Sequence, residues 1–165
     1  MLDRKRVRKL EVKTINSLSK NLKRATFHSH DLFDLNQSDV GGYVKLKFKN
    51  QNINSKNPIL LRPFTIRAFR EESLEIDIDF VVHNKGLASN WVKNAKKGDK
   101  LDISGLGRKQ ELSLKYDWFF LIGDLSALPA ISVNLETINK DSRGIIIIET
   151  LSMNDKIIVD IPKNF

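Results

Sequence analysis

Two short segments of the chain carry residue types that could hold a flat redox cofactor. The first is Arg62-Pro63-Phe64-Thr65-Ile66-Arg67, which places an aromatic ring and a hydroxyl group between two arginines. The second is His83-Asn84-Lys85-Gly86-Leu87-Ala88-Ser89-Asn90-Trp91, which brings a glycine and a serine to the start of a predicted short helix. Together they look like one site, with a ring stacked on the first segment and phosphates held by the second.

The chemistry that suits the first segment is flavin binding. An isoalloxazine ring needs a flat apolar surface, which Phe64 can supply, and a hydrogen-bond partner near its reactive N5, which Thr65 can supply. An arginine such as Arg62 can bind a pyrophosphate with the two prongs of its guanidinium group. The alternative for this segment alone is an ordinary strand with charged residues at its edge.

The second segment suits phosphate binding. The free N–H groups and the positive dipole end at the start of a helix bind phosphate without any special side chain, and Ser89 adds a hydroxyl group. His83 could contact a ribose or stack on a ring. The alternatives are a capped surface helix and a histidine hydrogen-bonded at the end of a strand. A flavin here implies redox chemistry in a chain that has no cysteine.

Three further patterns carry weaker signals. Residues 123–131 predict a strand, a glycine turn and a helix start, which form a nucleotide-binding corner in α/β sheets, although the GxGxxG sequence is lacking. His28 and His30 share a strand face, but no third ligand stands at a recognisable spacing, so no metal site is expected. Asp77 and Asp79 resemble paired carboxylates and are interpreted as the solvent-facing side of a strand.

The composition bounds the class of protein. The 165 residues include 28 Lys and Arg against 20 Asp and Glu, a net charge of +8 that favours an anionic partner. Residues 4–9 are interpreted as a basic, solvated tail that enters a first strand, and no nucleic acid partner is expected because aromatic residues are not interleaved with basic ones. The lack of cysteine excludes disulfides and thiolate metal sites. The charged N-terminus and short apolar runs predict a cytoplasmic protein without a membrane partner.

The first part of the chain predicts antiparallel β-structure. Strands are expected over residues 10–15, 22–28, 43–48, 59–69, 74–82 and 99–104, several of them with the alternation of a half-buried strand. Residues 50–58 predict a loop, and residues 88–97 predict a short helix that ends before Gly98. Pro63 favours an edge or a bulge. Five or six strands with turns between them predict a small closed barrel, because closure removes exposed edges.

The second part predicts a βαβ unit. Residues 118–122 and 144–149 are continuous apolar runs, typical of strands that are covered on both faces. A helix is expected between them up to about residue 139, with Pro129 in its first turn, where the missing N–H costs little. This order predicts a parallel sheet. Residues 157–159 could form a third strand.

The combination resembles the siderophore-interacting, FAD-binding ferric-siderophore reductases of the ferredoxin reductase-like superfamily. Three segments carry the resemblance in the family's order, over about residues 7–149. They are the segment 62–67 given above, Asp79-Phe80-Val81-Val82-His83 running into Gly86-Leu87-Ala88-Ser89-Asn90-Trp91, and Asp117-Trp118 with Gly123-Asp124-Leu125-Ser126-Ala127-Leu128-Pro129-Ala130-Ile131.

The resemblance implies a fold and an activity. It implies an N-terminal antiparallel Greek-key β-barrel that binds FAD, over residues 1–115, and the first portion of a parallel α/β nicotinamide-binding domain, over residues 116–165. Electrons would pass from NADH or NADPH through FAD to Fe(III) in a siderophore, an anionic small molecule. Family members continue further at the C-terminus, so this chain is expected to be a shortened member or a fragment.

The resemblance also implies roles for individual residues. Phe64 would stack on the flavin, Thr65 would approach N5 as the catalytic residue, and Arg62 and Arg67 would help to hold the cofactor. The family usually has Tyr at the position of Phe64 and Pro at that of Leu87. The other residues implied in cofactor binding are Ile66, Asp79, Val81, His83, Gly86, Ala88, Ser89, Trp91, Asp124, Ser126 and Ala127.

Two other functions remain open from the sequence. One is a different flavin reductase of the same superfamily, which would donate electrons to a protein or to free flavin. The other is a truncated, non-catalytic module that binds a flavin or another anion. Turnover with ferric complexes separates the first from the leading hypothesis, and a colourless protein would favour the second.

Overall fold

The computed structural model describes residues 6–50, 55–155 and 159–165. These ranges contain two β-sheets, two α-helices and two short 3₁₀ turns at His30–Leu32 and Gln37–Asp39. The strands are β1 (Val7–Ser17), β2 (Leu22–His28), β3 (Tyr43–Lys49), β4 (Ile59–Thr65), β5 (Ala68–Arg70), β6 (Glu75–Val81), β7 (Lys100–Gly107), β8 (Trp118–Asp124) and β9 (Arg143–Glu149), and the helices are α1 (Leu87–Asn94) and α2 (Leu128–Leu135).

The first sheet is antiparallel and barrel-like. Its seven strands follow the order β4-β3-β7-β1-β2-β6-β5, so β4 and β5 stand at the two edges although they are neighbours in the chain. The sheet is therefore curved, and one bent segment, residues 59–70, forms both of its edge strands. Its first part pairs with β3 and its second part with β6. In the described residues the edges meet at this bend and not through a ladder of hydrogen bonds between β4 and β5.

The sequence predicts a single strand over residues 59–69, and the structure divides it in two. The backbone of Ile66 bonds to Gly41 and Gly42, at 2.8 and 2.9 Å, whereas the N–H of Arg67 donates to the carbonyl of Asp77 at 2.9 Å. The chain thus changes partner strand between two adjacent residues, which interrupts the ladder. Pro63 lies in β4 at the edge of the sheet, where its missing N–H removes no ladder bond, as expected.

The core of the first sheet comes from alternate strand positions that face the interior. Its fully buried side chains include Leu10, Ala25, Phe27, Val44, Leu46, Ile76, Ile78, Phe80 and Ile103. α1 adds Val92 to this core, and Trp91 packs at its border. The helix ends at Asn94 and not at Lys97 as predicted, because Ala95 is already extended, with ψ 144°. The predicted alternation is therefore confirmed by the burial of β1 and β3.

The acidic face of β6 is a correction to the sequence-based interpretation. Asp77 and Asp79 were expected to face solvent, but both are buried, with 7% and 8% of their surface exposed, as is Glu75 on the same face at 6%. Long basic side chains from neighbouring strands lie against them and exclude water. Arg70 donates to both Asp77 oxygens at 2.7 and 2.9 Å and to Glu75 at 3.0 Å. Period-two alternation predicted which residues share a face, but not what packs on that face.

These ion pairs shift the ionisation of the acids. The hydrogen bond from Lys13 is the main cause that lowers the pKa of Glu75. Burial alone would raise the pKa of Asp77, but hydrogen bonds from Arg70 and Thr26 outweigh it and hold this pKa below its usual value. Both carboxylates are therefore charged in the folded protein at neutral pH, and their ionisation is coupled to folding.

A second correction concerns the basic N-terminal cluster, which was interpreted as a solvated tail. Residues 4 and 5 lie outside the described residues, but Arg8 is fully buried. Its guanidinium group donates to the two oxygens of Asp34 at 2.6 and 3.1 Å. Burial opposes ionisation, but the bonds from Arg8 and Arg6 prevail and lower the pKa of Asp34. Part of the cluster therefore anchors the 3₁₀ turn at His30–Leu32 to β1.

The second sheet is small and parallel, as predicted. It consists of β8 and β9, joined by α2. Pro129 lies in the first turn of α2, and the helix ends at Leu135, earlier than the predicted residue 139. A tighter turn follows the helix, in which the N–H and the hydroxyl of Thr137 both donate to the carbonyl of Asn134, at 3.0 and 2.7 Å.

The predicted burial of this second sheet on both faces is wrong. One face packs against α2 around Phe119, Leu135 and Ile138. The other face is exposed, and it consists of Trp118, Phe120, Ile122, Ile145 and Ile147, each at least half exposed. We refer to these five residues as the open apolar face. The sequences of β8 and β9 are continuously apolar because both faces of the sheet carry apolar residues. Within the described residues, only the face toward α2 is covered.

Other features complete the description. The carboxylate of Asp155 accepts hydrogen bonds from Ser19 and Asn21, which ties the C-terminal stretch to the turn between β1 and β2. Of the possible third strand, residues 157 and 158 lie outside the described residues, and Val159 is not in a strand. Of the predicted loop 50–58, residues 51–54 also lie outside them. Among the helices that the structure describes, none is long and apolar enough to cross a membrane.

Candidate functional site

Most of the predicted site residues converge on one pocket. It has a volume of about 400 Å³ and lies where β4, the end of β6, the start of α1 and the turn before α2 meet. Small-molecule sites commonly fall between about 300 and 1,000 Å³. Its lining residues are Arg62, Pro63, Phe64, Thr65, Asp79, Val81, His83, Gly86, Leu87, Ala88, Ser89, Ser126 and Pro129.

β4 supplies the aromatic and hydroxyl groups of the pocket. Phe64 is half-buried, and its ring centroid lies 4.7 Å from that of Phe80 in the core. This contact fixes the ring from the interior while part of it still lines the pocket. Thr65 follows at the end of the strand, just before the change of partner at Ile66. The pocket therefore has a rigid apolar wall with a hydroxyl group beside it.

Arg62 supplies positive charge on the same strand. It is exposed, and its Nη1 donates to the carbonyl of Leu61 at 2.9 Å. Within the described residues it forms no ion pair with a carboxylate. Because a guanidinium group presents several donors in a fixed plane, Arg62 can bind an anionic oxygen pair in the pocket.

The start of α1 supplies backbone donors. Gly86 is the N-cap residue, and no side chain caps the helix at this end. The first intrahelical bond runs from the N–H of Asn90 to the carbonyl of Gly86, at 2.9 Å. The earlier N–H groups of Leu87, Ala88 and Ser89 lack intrahelical partners by helix geometry. Since these residues line the pocket, the helix dipole and its N–H groups favour an anion there.

Gly86 is required by the shape of this turn. Its φ of +117° is strained for residues with a side chain, and a Cβ atom there would lie 2.9 Å from Cε1 of His83. The imidazole ring of His83 thus packs directly against the backbone of Gly86, where a side chain would not fit. This approach explains why a glycine stands between the histidine and the helix.

Ser89 lines the pocket, and its hydroxyl group bonds to the backbone of His83. Its hydroxyl group accepts from the N–H of His83 at 2.9 Å and donates to the carbonyl of the same residue at 2.8 Å. The side chain is buried, and its proton is occupied by this bond. Lys93 also donates to the His83 carbonyl, at 2.6 Å. The serine therefore holds the end of β6 against α1, and the N–H of Ser89 is its group suited to a ligand.

Asp79 lines the pocket as a paired carboxylate. Arg24 lies directly opposite on β2 and donates from Nε and Nη2 to the two carboxylate oxygens, at 2.7 and 2.8 Å. The hydrogen bonds that Arg24 donates to Asp79 are the main cause that raises the pKa of Arg24, against the effect of burial. The pocket wall thus contains the two-pronged contact between Arg24 and Asp79.

Four predicted site residues lie away from the pocket lining. Ile66 is fully buried in the core of the first sheet. Arg67, expected to hold the cofactor, instead pairs with Glu136 at the end of α2 and so joins the two sheets. Asp124 and Ala127 flank Ser126 in the turn before α2 without lining the pocket themselves.

Trp91 is also placed elsewhere. Its ring stacks on Phe27 at 6.0 Å and contacts Phe48 and Phe80 at 6.3 and 5.7 Å. It borders a different cavity of about 660 Å³ between α1 and strands β3 and β7. The geometry assigns Trp91 to packing α1 on the barrel-like sheet. The indole ring lies on the side of α1 that faces the core of the first sheet.

Asp124 shapes the turn that brings Ser126 to the pocket. One carboxylate oxygen accepts from the hydroxyl of Ser126 at 2.6 Å, from its N–H at 2.9 Å and from the N–H of Ala127 at 3.1 Å. The hydroxyl bond from Ser126 is the main cause that lowers the pKa of Asp124. Asp124 therefore fixes the start of α2, which is a structural role in this state of the protein.

Sequence reasoning missed several residues of the site. Pro63, Leu87 and Pro129 line the pocket although they were considered only for their backbone effects or as departures from the family pattern. Each stands within a quoted motif, so adjacency in sequence was an available signal. Arg24 was missed entirely, because only the strand register places it beside Asp79.

The residues present fit a flavin dinucleotide. The pocket joins a fixed aromatic ring, a hydroxyl group, an arginine without an ion-pair partner in the described residues, and an uncapped helix start. A flat ring system needs the first two, and a pyrophosphate needs the last two.

His28 and His30 contact each other edge-on at 5.2 Å, but the described residues contain no group of three metal ligands.

Comparisons with known proteins agree with this geometry. A family model for the siderophore-interacting FAD-binding domain matches residues 51–109, and one for siderophore-interacting protein matches residues 116–165. The ferric vibriobactin reductase ViuB of Vibrio cholerae is 34% identical over 154 residues, which span 84% of this chain and 57% of that protein. The NADPH-dependent ferric-chelate reductase of Escherichia coli is 36% identical over 66 residues, which span 40% of this chain and 26% of that protein.

A solved structure extends the comparison to the fold. The siderophore-interacting protein SipS from Aeromonas hydrophila superposes with a TM-score of 0.84 at 34% identity, covering 98% of this chain and 66% of that one. The chain thus spans somewhat more than half of the length of ViuB. The FAD-binding model includes β4 to β7 of the first sheet and α1, and the second model includes the whole second sheet and α2. The chain belongs to the siderophore-interacting, FAD-binding protein family.

Proposed function

We propose that this chain carries the FAD-binding part of a ferric-siderophore reductase, which uses NADH or NADPH to reduce Fe(III) in a siderophore. Residues 1–115 form the FAD-binding barrel in this proposal, and residues 116–165 begin the nicotinamide-binding domain. The observation that carries the proposal is the pocket itself, which combines Phe64, Thr65, Arg62 and the uncapped start of α1. The named activity of ViuB supports the choice of substrate class.

Each residue of the pocket has a proposed part in holding the cofactor. Phe64 stacks on the isoalloxazine ring, and the hydroxyl of Thr65 hydrogen-bonds near its N5. Arg62 and the N–H groups at the start of α1 neutralise the pyrophosphate. Gly86 keeps this helix start open, and Ser89 holds His83 in place through its two backbone bonds.

FAD supplies the redox chemistry when bound, since it accepts a hydride from a nicotinamide and passes electrons singly to iron. The protein contributes orientation and electrostatics. Phe64 and Thr65 fix the ring at the mouth of the pocket, and the net charge of +8 accelerates the approach of anionic ferric complexes. That acceleration is expected to weaken as salt concentration rises.

The proposal is tested with the purified chain and added FAD. Bound flavin is measured by its visible absorption, is then reduced with dithionite under anaerobic conditions, and is mixed with a ferric siderophore. The expected result is a flavin spectrum that bleaches and then recovers as Fe(II) appears. A chain that binds no FAD even at excess would contradict the proposal and favour the non-catalytic anion-binding module.

A matched pair of variants assigns the binding to this pocket. Arg62→Met removes the proposed pyrophosphate contact, and a roughly tenfold or larger loss of FAD affinity is expected for one charge-assisted bond. Arg143→Met removes an exposed arginine on β9 whose contact with Asp117 is 3.6 Å long, and it should leave FAD affinity unchanged. Equal losses of FAD affinity in the two variants would indicate that only the net charge of the protein matters.

The choice of electron acceptor separates the alternative reductase. Recovery of the flavin spectrum with a protein acceptor but not with ferric complexes would favour another flavin reductase.

A further inference from the structure

Arg24 lies just outside the pocket and donates two hydrogen bonds to the carboxylate of Asp79, which lines it. Asp79 lines the pocket together with Arg62, Phe64 and Thr65, whereas Arg24 is not among the lining residues. The carboxylate of Asp79 is 4% exposed, and the two-pronged contact with Arg24 occupies both of its oxygens. The pair follows from the register of β2 and β6, in which the two residues are direct partners.

The pair determines the charge of this wall of the pocket. A pyrophosphate is anionic, and a flavin gains negative charge when it is reduced. An unpaired carboxylate at the buried position of Asp79 would repel both, because charges interact strongly where water is excluded. With Arg24 bound, the wall is neutral and the carboxylate is held in a single orientation.

We propose that Arg24 is a positioning residue of the cofactor pocket, which neutralises and orients Asp79 and thereby sets the affinity for FAD and the reduction potential of the bound flavin. This inference rests on the proposed binding of FAD. It assigns a role to a residue on β2 that contributes no atom to the lining of the pocket.

The same sheet provides a matched control. Arg70 makes an equivalent two-pronged contact with Asp77, at 2.7 and 2.9 Å, on the same face of β6. Asp77 is buried to a similar degree as Asp79, but it does not line the pocket. Loss of Arg24 leaves Asp79 with fewer partners, and loss of Arg70 does the same to Asp77 and Glu75. Of these three buried carboxylates, only Asp79 lines the pocket.

The experiment compares Arg24→Met with Arg70→Met. For each variant, urea unfolding of the apo-protein, the dissociation constant for FAD and the reduction potential of bound flavin are measured. Both variants should lose stability. Arg24→Met should also bind FAD at least tenfold more weakly and should shift the flavin equilibrium about tenfold toward the oxidised form, about 30 mV for a two-electron couple. Arg70→Met should leave both flavin properties within about twofold of the wild type.

Two further variants keep the inference falsifiable. Arg24→Met combined with Asp79→Asn removes the unpaired charge and should return the potential to the wild-type value. Arg24→Lys keeps the charge but not the two-pronged contact, so it should give an intermediate loss even if Arg24→Met does not fold. Wild-type flavin properties in both Arg24 variants, or equal losses in Arg70→Met, would overturn the inference. A wild-type chain that binds no FAD would instead overturn the proposed function, on which this inference depends.

Discussion

The two sheets of this protein differ in which residues they bury. In the seven-stranded sheet even the acidic face of β6 is covered, because arginine and lysine side chains from neighbouring strands lie over it. In the two-stranded sheet the open apolar face is exposed, and Ile122 has 63% of its surface in contact with solvent. Charged residues are thus buried in one region while large apolar residues are exposed in the other. Burial depends on what packs against a strand, and strand composition alone does not determine it.

The largest difference in stability between the two sheets is expected when one aromatic ring is removed from each. Phe80→Ala deletes a 1% exposed ring that contacts Phe27, Phe64 and Trp91, and it should cost about 3–5 kcal/mol of unfolding free energy. Phe120→Ala, at 52% exposure, should change stability by less than about 0.5 kcal/mol. Urea denaturation of both variants measures the difference. Equal losses would mean that the open apolar face is covered in solution.

A smaller effect is expected from acid, and it comes from the acidic face of β6. The pKa of Asp77 is lowered in the folded state, so its contribution to stability is complete above the unfolded value, about 3.9, and is lost as the pH falls through the lower folded value. Asp77→Asn should cost about 1–2 kcal/mol at pH 7 and leave stability less dependent on pH below about 4. Urea midpoints measured at several pH values test this. An unchanged acid dependence would show that the pair with Arg70 contributes little.

The smallest effect concerns the contact between the two sheets. Arg67 and Glu136 form a partly exposed ion pair, with 19% and 39% of their side chains accessible. Such pairs contribute about 0.2–1 kcal/mol, so Arg67→Ala should have a small effect on stability that is further reduced at high salt. A double-mutant cycle with Glu136→Ala measures the coupling. A coupling energy well above about 1 kcal/mol would mean that the sheets are joined more rigidly than this surface contact indicates.

The sequence predicted the strands better than their surroundings. Alternation located β3 and β6, and the apolar runs located β8 and β9, because period and length are local properties. The division of residues 59–70 into β4 and β5 was not predictable, since it depends on Gly41, Gly42 and Asp77, which are distant in sequence. Burial of the acids on β6 depends on arginines from β2 and β5 in the same way.

The same limit applies to the candidate site. Phe64, Thr65, Arg62 and the start of α1 were found by type and spacing, and the structure brings them together in one pocket. Arg67 was expected beside them, but the change of strand partner after Ile66 directs it toward Glu136. Spacing predicts neighbours along one strand, whereas a bend redirects the residues that follow it.

The segment 59–70 forms both edge strands of the curved sheet, because its first part pairs with β3 and its second part with β6. Phe64 and Thr65, which face the pocket, lie on this piece, immediately before its bend. A molecule that binds to them contacts the segment that pairs with both β3 and β6, so we expect its binding to stabilise both pairings. Resistance of the sheet to opening should then rise with the occupancy of the pocket.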